Sequence, residues 1–145
     1  GVDSDEGGMN QASLDSLGFD SVTNYQFVHF TNMNRDYLEI LEDVKAEWKR
    51  LEEGCNLPYV PHVSIGWDNN PRYRQFLPFV CKNNTPENFE KALRMAKDYL
   101  QARPQLPRLV TLNSWNEWTE TSFLEPDTLY GYGYLEAVKR VFGME

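Results

Sequence analysis

Residues 109–120, LVTLNSWNEWTE, decide how the chain is read. Leu109 to Asn113 has the β-branched and apolar make-up of a short strand, and the seven residues after it are polar or aromatic, with Glu117 and Glu120 set beside Trp115 and Trp118. A strand that empties into such a loop places reactive groups where parallel α/β proteins bind ligands, at the C-terminal ends of their strands.

Upstream the same arrangement recurs. A first strand is expected over residues 19–25 (FDSVTNY), ending at Asn24, Tyr25 and Gln26, after a short helix from Asn10 that Gly18 closes in the left-handed conformation. A second, over residues 59–65 (YVPHVSI), runs into the turn-rich GWDNNPR of residues 66–72. Between them Tyr37, Leu41, Val44, Trp48 and Leu51 recur at spacings of three and four, the period of a one-faced helix, which Gly54 stops. Thr85-Pro86-Glu87 supplies an N-cap, a proline at the first helical position and an acid in the first turn, and Phe89, Leu93, Ala96 and Leu100 line one face of the helix that follows. After the LVTLN strand and a long loop to Gly131, a last helix is expected to bury Leu135, Val138 and Phe142.

Strands alternating with helices 40 or so residues apart imply α/β architecture, parallel βαβ units with right-handed crossovers. A closed eight-stranded barrel needs about 250 residues, so these 145 make either a small open sheet or a portion of a barrel. Residues 1–9, acidic and Gly-rich, are expected to be a flexible lead-in, and residues 10–145 the folded domain.

Composition narrows the partners. A net charge of -8, from 14 Lys and Arg against 22 Asp and Glu, has the wrong sign for a nucleic-acid binder. No apolar run approaches the roughly 18 residues of a membrane span. Cys55 and Cys81 have neither zinc-site spacing nor a nearby base, His29 and His62 lack a neighbouring ligand, and the calcium-loop spacing is missing around Asp68, Glu125 and Asp127, so no metal or cofactor is called for. Neutral polar partners fit this charge balance better, and aromatic residues stand out at 14% of the chain.

Within the decisive stretch, a helical turn would bring Glu117 and Glu120 to one side with Cβ atoms about 5–6 Å apart. A glycosidic bond requires such a pair, one carboxyl donating a proton and the other staying ionised, and crowded like charges beside indole raise one pKa. The competing reading has the two acids opening a helix with Trp115 and Trp118 in the core. Glu125-Pro126-Asp127 with Tyr130 could bind sugar hydroxyls or a cation, or form a proline turn. Trp67, Asp68 and Arg72 could line the site, or Asp68 could pair with Arg72 to order its loop. Asn113 and Asn116 complete the candidate set.

NSWNEWTE, followed by FLEPD, Tyr130-Gly131 and Tyr134-Leu135, resembles the NAWNEW-x-E…LEPD…YG-x-x-YL signature of the WbsX-like proteins, relatives of glycoside hydrolase family 99. LGFDSVTNYQ and PHVSIGWDNNPR are similar to further segments of that family, so the resemblance covers roughly Leu17 to Phe142. It implies the C-terminal part of a TIM (β/α)8 barrel and a retaining, metal-independent glycosidase acting on α-linked, mannose-type polysaccharide. By the same resemblance Glu117 is the base that helps the sugar's 2-hydroxyl attack the anomeric carbon, giving an anhydro-sugar, and Glu120 is the acid/base at the leaving oxygen. Glycosyltransferases of polysaccharide biosynthesis are described on the same scaffold. A hydrolase would act in the periplasm or outside the cell, a transferase in the cytoplasm. The family barrel is more than twice this length, and many relatives carry Gly after the second acid where this chain has Thr121.

A non-catalytic carbohydrate-binding module is the reading from another class. Three parallel strands cannot close a barrel, so Val60, Val63, Val110 and Leu112 are expected to lose the opposing wall, and the chain to self-associate or to be held by the N-terminal portion of its barrel.

Overall fold

Asp36 starts the first long helix because its carboxylate accepts the Leu38 N–H at 2.9 Å, satisfying one of the donors that a helix start leaves unpaired. The computed structural model describes residues 16–143, and that helix, α1, spans Tyr37–Gly54. Tyr37, Leu41, Val44 and Trp48 are buried as the spacing predicts, joined by Ile40, while Leu51 is half-buried at the edge of the core. Helix α2, Pro86–Gln101, begins at Thr85, whose hydroxyl accepts the Asn88 N–H, and buries Phe89, Ala92, Leu93, Ala96 and Leu100. The third helix, α3, is Gly133–Phe142.

Strand β1, His62–Ser64, pairs in parallel with β2, Thr111–Asn113, setting His62 against Thr111, Val63 against Leu112 and Ser64 against Asn113. The first expected strand is reduced to a single parallel bridge between Val22 and Tyr59. Its bonds, Val22 N–H to Pro58 O at 3.0 Å and Val60 N–H to Val22 O at 2.8 Å, use the even-numbered groups of the 58–65 segment. Thr111 N–H to Pro61 O and Ile65 N–H to Asn113 O use the odd-numbered ones, so Val22 and β2 flank that segment on opposite sides, in sequence order. Gly18 takes a left-handed φ of 67° after helical Ser16 and Leu17. The rest of that helix and the lead-in lie outside the described residues.

Alternation along the strands separates two faces. Val63 and Ile65 are buried in the apolar cluster with the helices, and Leu112 packs against it. His62 and Ser64, paired with Thr111 and Asn113, make the other face polar. The expectation that Val63 and Leu112 face a missing barrel wall is therefore corrected: they face the helices. Tyr37 ties the layers together, its hydroxyl donating to Ser64 O at 2.6 Å from a fully buried ring. Around the other end of the sheet Trp48, Tyr59 and Tyr99 pack edge-on or tilted, with centroids 5.3 to 6.4 Å apart.

The last helix differs from expectation by a rotation. Tyr134, Ala137 and Val141 are its buried face, whereas Val138 and Phe142 line an apolar groove of about 600 Å³ with Leu100, Leu109, Val110 and Leu112. The 3.6-residue period fits both stripes, and the sequence pattern alone does not say which one the rest of the chain covers.

Removing only the Tyr37 hydroxyl should leave the Ser64 carbonyl without its buried donor. Tyr37→Phe is expected to lower unfolding free energy by about 1–3 kcal/mol, read as a lower urea midpoint at unchanged slope.

Candidate functional site

Beyond Asn113 the chain forms a small hairpin rather than an open loop. Strand β3, Asn116–Glu117, pairs antiparallel with β4, Ser122–Phe123, and a 3-10 turn, Trp118–Glu120, joins them. Ser114 stitches its base, donating to Ser122 O at 2.8 Å and accepting from Glu117 N–H at 3.1 Å. Thr121 closes the turn at φ 50°, a conformation that favours glycine, while its hydroxyl donates to Asp68 O at 3.1 Å. The same turn is joined to the 67–81 loop by Asp68 N–H donating to Glu120 O at 2.9 Å.

That loop aims Arg72 at the two acids. Asp68 accepts the backbone and side-chain N–H groups of Asn70 at 2.9 and 2.7 Å, and the Asn70 carboxamide spans to Leu77 through both of its ends. The Asn70–Arg72 3-10 turn, with Pro71 inside it, then presents the guanidinium. Its Nη1 lies 2.9 Å from Glu120 Oε1, its Nη2 3.3 Å from Glu117 Oε1, and its Nε donates to Thr119 Oγ1 at 2.8 Å. Thr119 in turn donates to Glu117 Oε1 at 2.5 Å. The Asp68–Arg72 pairing offered by the sequence is thus replaced by a clamp on both glutamates.

The electrostatics follow. The Thr119 hydroxyl bond, aided by the Arg72 charge, holds the Glu117 carboxyl below its ordinary pKa. The sequence reading expects crowding and indole contact to raise one acid of the pair; at Glu117 the hydroxyl bond and the guanidinium outweigh them. Trp115 and Trp118 are 55% and 45% exposed, so they are not the core of a helix either.

The other sequence candidates fall into separate places. Asn113 is buried, its side chain accepting from Gln26 Nε2 at 2.9 Å and its carbonyl from Ser122 Oγ at 2.8 Å. Asn116 is exposed on β3, and Trp67 is half-buried against the core. Glu125 accepts the Trp118 indole N–H at 2.6 Å. Asp127 makes the turn that Glu125-Pro126-Asp127 suggested, accepting the Leu129 and Tyr130 N–H groups at 2.7 and 2.6 Å. Asp127, Trp118 and Tyr130 line a separate hollow that does not include Glu117, Glu120 or Arg72. Thr119 is a site residue that the sequence reading did not assign, since a threonine inside E-W-T-E carries no spacing signal. Among the described residues, no three His, Cys, Asp or Glu side chains are placed to hold a metal ion, and no helix is long and apolar enough to cross a membrane.

Behind the site the polar face of the sheet is closed by Gln26 and Phe27. His62 bonds Thr111 Oγ1 through Nδ1 and Ser64 Oγ through Nε2, both at 2.9 Å, and Phe27 packs edge-on against its ring. Burial pushes the His62 pKa down to about 4.

With this geometry in view, the sequence profile described as Glycosyltransferase WbsX matches residues 6–138. The chain belongs to the WbsX family. Two proteins of Xanthomonas campestris pv. campestris, from strains B100 and ATCC 33913 and both named uncharacterized protein WxcX, are each 37% identical over 81 residues. That stretch is 55% of this chain and 12% of either relative. A solved structure titled glycoside hydrolase-like protein superposes with a TM-score of 0.62 at 22% identity, covering 87% of this chain and 38% of the other. This WbsX chain therefore shares a mixed helix and parallel-strand fold with a glycoside hydrolase-like protein, spans about two-fifths of it, and is carbohydrate-related by family.

His62 gives a pH test of the support behind the site. Its folded pKa lies below the unfolded value of 6.5, so the unfolded chain takes up the proton first as pH falls. Stability is expected to be full above pH 6.5 and to drop by on the order of 3 kcal/mol between about 6.5 and 4. His62→Gln should flatten that part of the urea-midpoint profile.

Proposed function

We propose that the chain is the C-terminal portion of a (β/α)8-barrel enzyme, with residues 10–145 forming that portion, and that it acts on α-linked, mannose-type polysaccharide through Glu117 and Glu120. The observation that carries this reading is the single guanidinium of Arg72 reaching both carboxylates, which fixes them on one side of the turn at the C-terminal end of β2.

The two acids differ in partners and in exposure. Glu117, kept as the carboxylate by Thr119 and Arg72, has the lone pair to take the proton from a sugar 2-hydroxyl as that oxygen attacks the anomeric carbon and the glycosidic bond breaks. Glu120, the less exposed of the pair, would protonate the departing oxygen and then take a proton from the incoming hydroxyl that opens the anhydro-sugar. Trp67, Trp115, Asn116 and Trp118 would border the sugar, with Asp68 and Asn113 holding the loops that carry the pair. Neither step calls for a metal or cofactor.

The family description favours a second reading, a glycosyltransferase on this scaffold. The two differ in what arrives second: water gives hydrolysis, another sugar hydroxyl gives transfer. Their locations would differ too, periplasmic or extracellular for the hydrolase and cytoplasmic for the transferase. A binding module without chemistry would use the exposed tryptophans and leave the acids idle.

In the intact parent protein Glu120→Gln is expected to lower turnover of a natural glycan by roughly 10²- to 10⁴-fold with KM little changed, and less on a glycoside with a good leaving group. Full turnover in both Glu117→Gln and Glu120→Gln would leave the binding module, and product analysis with added acceptor sugar separates hydrolysis from transfer.

The free side of β2 and the groove beside α3 supply the second expectation. An apolar surface of this kind is normally covered by a partner, here a second copy or the N-terminal portion of the barrel. The isolated chain should sediment as a concentration-dependent oligomer at micromolar levels and show little activity, and a strict monomer at all concentrations would argue against the partial-barrel reading.

A further inference from the structure

The hollow beside the carboxylate turn is built like a site in its own right. About 340 Å³ in volume, it shares Trp118 and Thr121 with the turn, and its remaining lining comes from elsewhere: Ile65, Asn84, Phe123, the 127–130 segment and Tyr134. Its size lies at the lower end of small-ligand pockets.

Two walls are aromatic and fixed. Trp118 stacks on Phe123 with centroids 3.7 Å apart and planes 19° apart, and the indole N–H bond to Glu125 prevents the ring from turning. Opposite chain segments contribute Tyr130, edge-on to Tyr134 at 5.6 Å, and Tyr134 is itself anchored by its hydroxyl on Asn84 O at 2.5 Å. The 127–131 turn is equally preset, since Asp127 and Gly131 exchange backbone bonds of 3.2 and 3.0 Å and Gly131 takes φ 56°.

Between those walls are polar groups that bond no other protein group and are open to a ligand. Among the described residues, the Asn84 carboxamide, the Thr128 hydroxyl and Asp127 Oδ2 have no hydrogen-bond partner. An aromatic platform with planar polar groups at its edge matches a pyranose ring, whose C–H face packs on a π surface while its hydroxyls need donors and acceptors in the ring plane. Asp127 is the one charged residue in the lining, so a phosphate or a uronate is disfavoured and a neutral sugar fits.

We propose that this hollow is an accessory subsite for one neutral pyranose unit of the glycan that reaches Glu117 and Glu120. The word accessory rests on the reading of those glutamates as the reactive pair. Occupancy of the hollow does not, because neither acid lines it. Trp118 belongs to both places, so a sugar held on this side would lie beside the turn that carries the acids.

The probes are the methyl α-pyranosides of mannose, glucose and galactose, titrated into the full chain while the Trp118 indole N–H resonance is followed by NMR. At least one should shift that resonance with a dissociation constant of about 1–10 mM, as a single sugar ring without neighbours would. Asn84→Ala and Tyr130→Ala should each weaken it about 5- to 10-fold, whereas Glu120→Gln should leave it unaltered. Thr128→Val, which keeps side-chain volume, provides the same readout should Tyr130→Ala lose amide dispersion. No shift with any of the three sugars up to roughly 50 mM would overturn the proposal, as would a shift that Arg72→Ala abolishes and Asn84→Ala and Thr128→Val do not touch. Binding that persists while Glu117→Gln and Glu120→Gln parents keep full turnover would remove the enzyme reading and leave the subsite standing.

Discussion

The parallel register that sets His62 against Thr111 and Ser64 against Asn113 decides which way everything else faces. Because side chains alternate along a strand, one register places all four polar residues on one face and leaves Val63, Ile65 and Leu112 for the helices. A slip by one residue would turn histidine, serine and asparagine into the helix layer. Tyr37 and Gln26 hold the register from both sides, the first through Ser64 O and the second through the Asn113 carboxamide. The decisive loop starts at Asn113, so the same register also fixes where Glu117 and Glu120 emerge.

Charge on the site is organised by a cation from a different crossover. Arg72 stands 45 residues from Glu117 in sequence, yet its guanidinium bridges both acids and the hydroxyl between them. Two carboxylates on one short turn repel, but the Thr119 hydroxyl bond, with the Arg72 charge beside it, holds the Glu117 carboxyl below its ordinary range. The pairing is partly exposed, so its effect is on geometry and protonation more than on stability. Thr121 adds a constraint of another kind. A β-branched residue at φ 50° is uncommon, since only glycine takes this conformation at no steric cost. Here the Thr121 hydroxyl bond to Asp68 O offsets some of that strain and joins the turn to the Arg72 loop.

Two elements show how tertiary surroundings override local pattern. Residues 19–25 have strand composition, but one bridge at Val22 is all that forms, since only a single pair of bonds reaches the 58–60 segment. Helix α3 has two apolar stripes, and the chain covers Tyr134, Ala137 and Val141 while Val138 and Phe142 border the groove. The curated relatives and the solved neighbour are both longer than this chain.

The sequence by itself determined the three long helices, the parallel pairing of the 59–65 and 109–113 segments and the motif that marks the family. These depend on near neighbours: a 3.6-residue apolar period in α1 and α2, a Thr-Pro-Glu start, a run of β-branched residues at 109–113. Only the tertiary structure decided that Arg72 serves Glu117 and Glu120 instead of Asp68, that the tryptophans face outward, and that Asn84, Thr128 and Tyr130 meet around one hollow. Each of those facts joins residues from different crossovers, and the distance between such residues is set by how helices pack on the sheet, a quantity that no local spacing contains.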